Sequence, residues 1–250
     1  MSLPPLSAAA WLRWDSVSQL LPGDGQGVLD VLEVGCGQGG FAARLVQRFR
    51  YVGLEPDAAS SALAGQRLAR AGGVGEVRNG DLSVLAPDEK FDLVCAFEVL
   101  EHIDDDEKAL AEWVGRLSPG GWLVLSTPAF QRRFGPADEM VGHFRRYDPP
   151  VMAQLRRDAG LQDVRVQQFG GPLGYLLEAA RNQVGRRRSA DGPQPRVSME
   201  DRTAGSGRLL QPSSALQGAA TRYGTLPFRL VDRAFPGHGP SLLARARLPR

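Results

Sequence analysis

The chain has 250 residues, 42% of them hydrophobic, which is enough for one sizeable domain with a buried core. It contains no run of 18 apolar residues, and its N-terminus lacks the basic start and long apolar core of a secretion signal, so we predict neither a membrane span nor a signal peptide. The net charge is only +2, but residues 181–250 hold thirteen arginines against four acidic residues.

Helical and strand-like segments alternate along the chain. Predicted strands are 28–34, 51–55, 74–80, 91–97, 122–127, 163–169 and 241–248. Predicted helices are 6–21, 40–49, 57–72, 104–117, 150–160 and 174–185. Short apolar runs separated by helices are typical of a parallel sheet covered on both faces, so the sequence predicts an α/β, doubly wound domain.

A glycine-rich turn follows the first strand in "VLDVLEVGCGQGGFAARL", residues 28–45. Gly35, Gly37 and Gly40 match G-x-G-x-x-G, and Glu55 follows about 20 residues on, as in dinucleotide sites. Such a strand–turn–helix unit brings its backbone close to a ligand at the carboxyl edge of a sheet. Glu33 suits a ligand ammonium better than a pyrophosphate, whereas Glu55 suits the ribose of either ligand. The turn by itself leaves both ligands open.

Three further motifs favour one of the two ligands. "NGDL" (79–82) follows the third strand, where Asp81 can accept from an adenine amino group and the Leu82 N–H can donate to the ring. "FEVLEHI" (97–103) follows the fourth strand, where the reacting end of a ligand is expected. "LSPGGWLVLSTP" (117–128) makes a tight turn into the fifth strand.

With these motifs the sequence resembles the class I S-adenosylmethionine-dependent methyltransferases, particularly the small-molecule branch that includes the ubiquinone-biosynthesis O-methyltransferases. The motifs that carry the resemblance are Glu33–Gly39, Gly53–Asp57, Asn79–Leu82, Phe97–Ile103 and Leu117–Leu125. It implies a Rossmann-like seven-stranded sheet of order 3-2-1-4-5-7-6, with the last strand, 241–248, antiparallel. It also implies S-adenosylmethionine as cofactor and a small-molecule methyl acceptor. The implied cofactor-binding residues are Glu33, Gly35, Cys36, Gly37, Gly39, Glu55, Pro56, Asp81, Leu82, Phe97 and Glu98.

Methyl transfer to a phenol or amine needs a base near neutral pH, for which histidine is suited. His102 and His143 are the predicted catalytic residues, while His238, in "PGHGP", is interpreted as a loop residue. Glu98, Glu101 and His102 would share one face if their turn is helical. On such a face His102 could act as a general base, the residues could bind a divalent metal together with His143, or they could simply pack beside the cofactor. The metal site is the less favoured interpretation, and we assign no metal ligand.

A second constellation lies between the fifth strand and the next helix, where this family places substrate-facing insertions. Its members are Asp138, Glu139, His143, Arg146 and Tyr147. His143 is interpreted either as a substrate contact or base, or as an anchor for a lid. Asp148 is expected to cap a helix that begins at Pro149 or Pro150.

We predict a single methyltransferase domain over 1–250. Its parts are an N-terminal helical cap (1–27), a cofactor-binding core (28–169), an insertion or lid (170–225) with a flexible loop at about 186–214, and a C-terminal helix and last strand (226–250). The helix at 174–185 is apolar on one face, as a pocket cover, a core helix or a dimer contact would be.

The leading hypothesis is a methyltransferase acting on an oxygen or nitrogen of a small metabolite. The arginine-rich segment and the Glu-x-x-Glu-His pattern suggest an RNA methyltransferase, possibly metal-assisted, as the alternative, although no aromatic platform for RNA is visible, so nucleic acid is an unfavoured partner. A non-catalytic cofactor-binding scaffold is the second alternative. Cys36 and Cys95 lie in apolar contexts and are expected to be reduced thiols, which predicts a cytoplasmic protein. The sequence predicts no oligomeric state.

Overall fold

The computed structural model describes residues 3–23, 27–190, 212 and 214–250. A seven-stranded sheet of order β3-β2-β1-β4-β5-β7-β6 forms its centre. The strands are β1 Asp30–Val34, β2 Arg50–Glu55, β3 Gly75–Asn79, β4 Phe91–Phe97, β5 Leu117–Pro128, β6 Gln162–Phe169 and β7 Ser241–Arg247. The first five strands pair in parallel, and β7 runs antiparallel to both β5 and β6. The predicted fold class and strand order are confirmed.

Helices cover both faces of this sheet. They are α1 Ala8–Leu20, α2 Ala42–Leu45, α3 Ala58–Ala71, α4 Asp106–Val114, α5 Pro136–Val141, α6 Pro149–Asp158, α7 Leu173–Ala190, α8 Ala215–Gly224 and α9 Leu226–Ala234. Successive strand residues point to opposite faces, so Val31 packs in one core with α1, α2 and α3, whereas Leu32 packs in the other with α4 and α6. None of the helices within the described ranges has both the length and the apolar character needed to cross a bilayer.

Two local expectations differ from the structure. α7 continues to Ala190, so residues 186–190, which were predicted to begin a flexible loop, are helical. Arginine and alanine are good helix formers, which explains why the polar sequence after Gly185 stays helical. The rest of that predicted loop, residues 191–211 and 213, lies outside the described residues. The turn predicted at 118–121 lies inside β5 as an irregularity, with Gly120 at φ 78°.

The order of the strands positions the site. β1 and β4 are neighbours at the centre, and the chain leaves them toward opposite edges of the sheet. In open α/β sheets the crevice beyond the carboxyl ends of such a strand pair is the usual ligand site. The glycine turn after β1, Glu55 at the end of β2, Asp81 after β3 and Glu98 after β4 all lie at this edge.

Helix α1 is fixed across that edge by charged contacts. Ser7 caps its first turn by accepting from the Ala10 N–H. Buried Asp15 accepts hydrogen bonds from Arg233, at 2.6 and 2.7 Å, and lies 3.5 Å from Arg229, both on α9. The cap therefore depends on α9, although the two helices lie at opposite ends of the sequence.

Candidate active site

A cleft of about 1800 Å³ lies at the carboxyl edge of the sheet, bordered by α1, α5 and α7. Small-molecule sites usually measure roughly 300–1,000 Å³, so this cleft has room for a cofactor and a second molecule. The predicted cofactor residues that line it are Glu33, Gly35, Cys36, Gly37, Glu55, Pro56, Asp81, Leu82, Phe97 and Glu98. Their convergence on one cavity is what a shared ligand requires.

Gly37 and Gly39 need to be glycines for different reasons. Both have left-handed backbones, at φ 53° and 75°. A Cβ on Gly37 would meet no atom within 4 Å, so its backbone is open to the cleft. A Cβ on Gly39 would lie 2.8 Å from the Cα of Ala64, so this glycine lets α3 approach the turn. Gly39 is not among the cleft-lining residues, and its predicted cofactor contact stays a prediction.

Because the two glycines have different surroundings, we expect their alanine variants to lose different properties. Gly37→Ala should cost about 1–2 kcal/mol of stability through backbone strain, and should weaken cofactor binding about tenfold, because its methyl group enters the cleft. Gly39→Ala should cost more stability, since the strain is joined by a clash with α3. Thermal melts and calorimetric titration with S-adenosylmethionine measure both. A Gly39→Ala protein as stable as Gly37→Ala would contradict the packing role.

Glu55 is held in place by backbone donors. Its Oε2 accepts from the Gly37 N–H at 2.8 Å, and its Oε1 accepts from the Asp57 N–H at 3.0 Å. A carboxylate oxygen can accept more than one hydrogen bond, so each keeps capacity for a ligand donor. The side chain lines the cleft at the end of β2, where the vicinal hydroxyls of a ribose would find an acceptor pair.

Glu33 is 2% exposed and accepts a hydrogen bond from the Tyr51 hydroxyl at 2.6 Å. Burial raises the pKa of its carboxyl to about 7; the Tyr51 hydrogen bond partly offsets this, and the charge of Glu55 adds to it. A ligand ammonium placed beside Glu33 would favour the ionised form. Tyr51 was not anticipated, because nothing in a strand sequence marks a tyrosine as the partner of an acid on the next strand.

The remaining lining also fits a sulfonium nucleoside. Asp81 accepts from the Ser83 N–H at 2.9 Å, and hydrogen bonds from Ser83 hold the pKa of its carboxyl below the usual range, so it stays an acceptor. Phe41 and Phe97 line the cleft in an edge-to-face pair with ring centroids 5.2 Å apart. Aromatic rings attract cations. The cleft therefore offers acceptors for an ammonium, a ribose and an adenine amino group, together with an aromatic wall.

Glu98 joins three elements at the floor of the cleft. Its backbone is left-handed, at φ 58°, an unusual conformation for this residue type that is found at functional sites. Its Oε1 accepts from the Ser126 hydroxyl at 3.2 Å, and its Oε2 lies 2.9 Å from Nη2 of Arg13 on α1. Arg13 was not predicted, since only the docking of α1 brings it to this edge.

His143 and Asp138 form a hydrogen-bonded pair beside the cleft. His143 Nδ1 lies 2.8 Å from Asp138 Oδ1. Asp138 also accepts from the Arg146 guanidinium, at 2.9 and 3.0 Å from Nε, and from the Gly135 N–H at 2.9 Å. Burial raises the pKa of Asp138, but the hydrogen bonds from His143 and Arg146 outweigh it and leave it below the usual value. An ionised Asp138 keeps a proton on Nδ1, so Nε2 is left as an acceptor.

The second predicted histidine contacts the first. The rings of His102 and His143 meet edge to face with centroids 4.5 Å apart. Burial and the neighbouring His143 lower the pKa of His102 to about 4, which makes it a weak base at neutral pH. The structure thus brings both histidines together but gives them different environments, and these favour His143 as the base.

The side chains of Glu98 and Glu101 do not share the helical face that their spacing would give in a helical turn. The turn is a short 3-10 helix, Leu100–His102, preceded by the left-handed Glu98, which pairs with Arg13 instead. Glu101 is 0% exposed, and neither of its oxygens has a hydrogen-bond partner among the described residues. Burial, reinforced by the charge of Glu98, raises the pKa of its carboxyl well above the usual value. Within the described ranges, the set with metal-ligand spacing is Glu101, His102 and His143, whose ligand atoms lie within 4.8 Å of one another.

Glu178 on α7 is a further site residue that the sequence does not reveal. It is 4% exposed, 3.2 Å from Nη1 of Arg146 and 3.0 Å from Nη2 of Arg133. It ties α7 to the Asp138 cluster, but a glutamate in a polar helix carries no sign of burial. Asp148 takes the N-cap position of α6 without the predicted side-chain hydrogen bond. His238 is an exposed loop residue, as interpreted from the sequence.

A seven-stranded sheet of this order, with acidic acceptors around a glycine turn at its carboxyl edge, defines a nucleoside-cofactor enzyme of the class I methyltransferase type. A sequence model described as a methyltransferase domain matches residues 10–166, more than half of the chain. The chain therefore belongs to this family of methyltransferase domains, and the cofactor of the family, S-adenosylmethionine, fits the acceptors of the cleft.

Named relatives agree with this assignment. A probable S-adenosylmethionine-dependent methyltransferase of Mycolicibacterium smegmatis is 38% identical over 139 residues, 53% of this chain and 52% of that protein. The mitochondrial ubiquinone biosynthesis O-methyltransferase of Candida albicans is 56% identical over 39 residues, 16% of this chain and 12% of that protein. The match to the first relative spans about half of its length. The N-methyltransferase NodS from Bradyrhizobium japonicum WM9, solved with S-adenosyl-L-homocysteine, has a similar fold, with a TM-score of 0.53, 20% identity, and coverage of 97% of this chain and 86% of that chain.

Proposed function

We propose that this methyltransferase acts on an oxygen or nitrogen of a small metabolite and that His143 is its general base. The observation that carries the proposal is the His143–Asp138 pair, 2.8 Å apart, at the wall of the cleft. Hydroxyl and ammonium acceptors must lose a proton when they are methylated. His143 lines the cleft, and its Nε2, 3.9 Å from Glu101 Oε1, makes no hydrogen bond with the described residues, so it matches that chemistry. The predicted cytoplasmic location stays a prediction; both cysteines are buried and unpaired.

The mechanism follows from the charges around His143. When bound, S-adenosylmethionine supplies a methyl group that is already activated, so alignment and deprotonation of the acceptor remain for the protein. His143 Nε2 takes the acceptor proton, and Asp138 stabilises the resulting imidazolium. Arg146, 5% exposed, keeps Asp138 ionised and fixed in position. Glu33, Glu55 and Asp81 bind the amino, ribose and adenine groups of the cofactor.

The lining near His143 supports a small acceptor. Ala137, Met140, Val141 and Leu177 provide apolar surface beside Asp138 and His143, as in pockets that enclose small molecules. NodS, whose fold is similar, is an N-methyltransferase. The described C-terminal arginines do not form one stripe: Arg229 and Arg233 meet Asp15 on α1, whereas Arg245 lies over Trp122. The RNA alternative loses its main support.

A metal-assisted methyl transfer is the second candidate. The observation that favours it is the close set of Glu101, His102 and His143, together with the unbonded oxygens of Glu101. A divalent ion held there would polarise the oxygen of a bound acceptor. His143 Nε2 cannot bind an ion and accept a proton at once, so the two candidates make different demands on this nitrogen.

Transfer of a labelled methyl group tests the proposal. The purified protein is incubated with methyl-labelled S-adenosylmethionine and either a panel of phenols, catechols and amines or total RNA, with EDTA or with Mg²⁺. We expect label on small hydroxyl or amine acceptors, equally in EDTA. Label on RNA alone would overturn the proposal. Transfer abolished by EDTA and restored by Mg²⁺ would replace it with the metal-assisted candidate, and cofactor binding without transfer would favour the scaffold.

A further inference from the structure

Helix α7 forms one wall of the acceptor end of the cleft, by which we mean the part around His143. Leu177, Glu178 and Arg181 all line the cleft. Residues three and four apart in a helix lie on the same side of it, so Arg181 lies on the side of α7 that carries Leu177 and Glu178. An arginine therefore lies close to the cluster that contains the proposed base.

α7 is fixed to its surroundings on both sides of Arg181. Before this residue, Glu178 pairs with Arg146 at 3.2 Å. After it, Asn182 Oδ1 accepts from the Ala137 N–H at 3.2 Å. The backbone at Arg181 is therefore held in a defined position at the wall of the cleft.

Arg181 differs in its bonding from the other arginines of the cleft. Within the described ranges, Arg13, Arg116 and Arg146 also line it. Arg13 and Arg146 pair with carboxylates, and Arg116 donates to the Ala86 carbonyl at 2.7 Å. Arg181 is exposed, and it makes no hydrogen bond, ion pair or ring contact with the part of the chain that the structure describes. All five N–H donors of its guanidinium are thus open to a ligand.

The carboxylates of the base cluster are already paired. Asp138 and Glu178 share the guanidinium of Arg146, at 2.8 and 3.2 Å. The positive charge of Arg181 is therefore left for a bound molecule. A guanidinium binds a carboxylate or a phosphate through two parallel hydrogen bonds, so an anionic group is the chemistry that this residue fits.

The methyl acceptor is the molecule that can reach both Arg181 and the base. Contacts of 2.8, 2.8 and 3.2 Å link His143 through Asp138 and Arg146 to Glu178. Arg181 is three residues further along α7, a rise of about 4.5 Å. The apolar side chains that line the same end of the cleft suit the carbon skeleton of a small molecule.

We propose that the methyl acceptor carries an anionic group, a carboxylate or a phosphate monoester, and that Arg181 binds it. The proposal rests on the proposed function, since it places the acceptor hydroxyl or amine at His143 Nε2. Two oxygens of the anion accept from the Arg181 guanidinium, while the apolar lining covers the carbon skeleton. The enzyme thereby selects acceptors that carry both a nucleophile and an anion over neutral phenols and amines.

Calorimetric titration of the full chain loaded with S-adenosyl-L-homocysteine tests the site without turnover. Benzoate and phenyl phosphate are compared with benzamide, a neutral molecule of nearly the same shape as benzoate. The test variant is Arg181→Met, and the matched control is Arg187→Met, which removes an exposed arginine of α7 that does not line the cleft. We expect one of the two anions to bind about tenfold more tightly than benzamide, which identifies the anionic group. This preference should be lost in the test variant and kept in the control.

Methyl transfer connects the anion site to the reaction. Among the acceptors that take label, an acid such as 3,4-dihydroxybenzoate should exceed its amide about tenfold in kcat/KM. Arg181→Met should remove this difference through KM and leave kcat unchanged, because His143 and Asp138 remain in place.

Four outcomes would overturn the proposal. They are equal binding of benzamide and both anions, an unchanged preference in Arg181→Met, an equal loss in Arg187→Met, and a tenfold loss of S-adenosylmethionine affinity in Arg181→Met, which would assign the guanidinium to the cofactor. Equal labelling of acids and amides would also contradict the anion site but leave the proposed function intact. A preference for the anions without label on any acceptor would contradict the proposed function and support the anion site.

Discussion

His143→Ala is expected to lower kcat about 10²–10⁴-fold, the usual contribution of a positioned base, while S-adenosylmethionine binds within about twofold of its normal affinity. The reason is that His143 lies with Asp138 and Arg146 beside the cleft, away from the carboxylates that suit the cofactor. Steady-state kinetics and calorimetric titration give the two values.

Two further variants separate catalysis from structure. His238→Ala changes an exposed loop histidine and should leave every parameter unchanged. Asp138→Asn keeps the shape but removes the charge that fixes the His143 proton, so kcat should fall. The thermal midpoint should also drop, because the pairing with Arg146 is lost and one oxygen must serve the Gly135 N–H and His143. A full rate in His143→Ala, or a loss of cofactor affinity as large as the loss of kcat, would remove the base assignment.

Glu33→Gln is expected to stabilise the cofactor-free protein strongly at pH 8 and by much less at pH 5. The folded-state pKa of Glu33 is raised from 4.5 to about 7, chiefly by burial, so the folded state holds this proton more tightly than the unfolded state does. Stability is then present below the unfolded pKa and is lost as the pH rises through the folded pKa. The loss approaches about 3 kcal/mol at high pH, and glutamine, which is neutral throughout, avoids it. Chemical denaturation at both pH values measures the difference.

The same substitution should weaken cofactor binding, since the neutral amide gives up the charge that suits the ammonium. The rise in thermal midpoint on adding S-adenosylmethionine should therefore be smaller in Glu33→Gln than in the unaltered chain. Glu107→Gln, on the exposed side of α4, is the matched control and should show neither effect. A variant that is less stable than the unaltered chain at pH 8 would mean that the folded state stabilises the ionised Glu33 carboxylate and that burial does not penalise it.

The parts of this molecule that could be predicted from sequence are those encoded locally. Strand periodicity was enough to predict a parallel α/β sheet, and the family resemblance carried by the motifs after each strand implied its order. Because parallel strands end at a common edge, the motifs also located the edge where Glu55 and Asp81 meet. The pairs Arg13–Glu98 and Arg146–Glu178 were missed. Each pair joins residues far apart in the chain and forms only when a covering helix docks on the sheet. The hydrophobic periodicity of the sequence does not reveal where a helix docks.

The difference between the environments of His102 and His143 could not be predicted from the sequence either. Their sequence contexts suggested two candidate bases. Burial and the neighbouring ring lower the pKa of His102, whereas His143 is hydrogen-bonded to Asp138, and these differences depend on tertiary packing. Glu98, Glu101 and His102 would share one face only if their turn were helical; instead, a single left-handed residue directs the Glu98 side chain toward α1.

The position of β7 has a consequence for folding during synthesis. β7 is the last of the described strands along the chain, yet it lies between β5 and β6 and supplies both of their pairings on that side. Until β7 has been synthesised and has left the ribosome, β5 exposes an unpaired edge and β6 has no sheet to join. We expect β5, β7 and β6 to pair only after residues 241–247 leave the exit tunnel. Until then, we expect chaperones that recognise open strand edges to bind the chain.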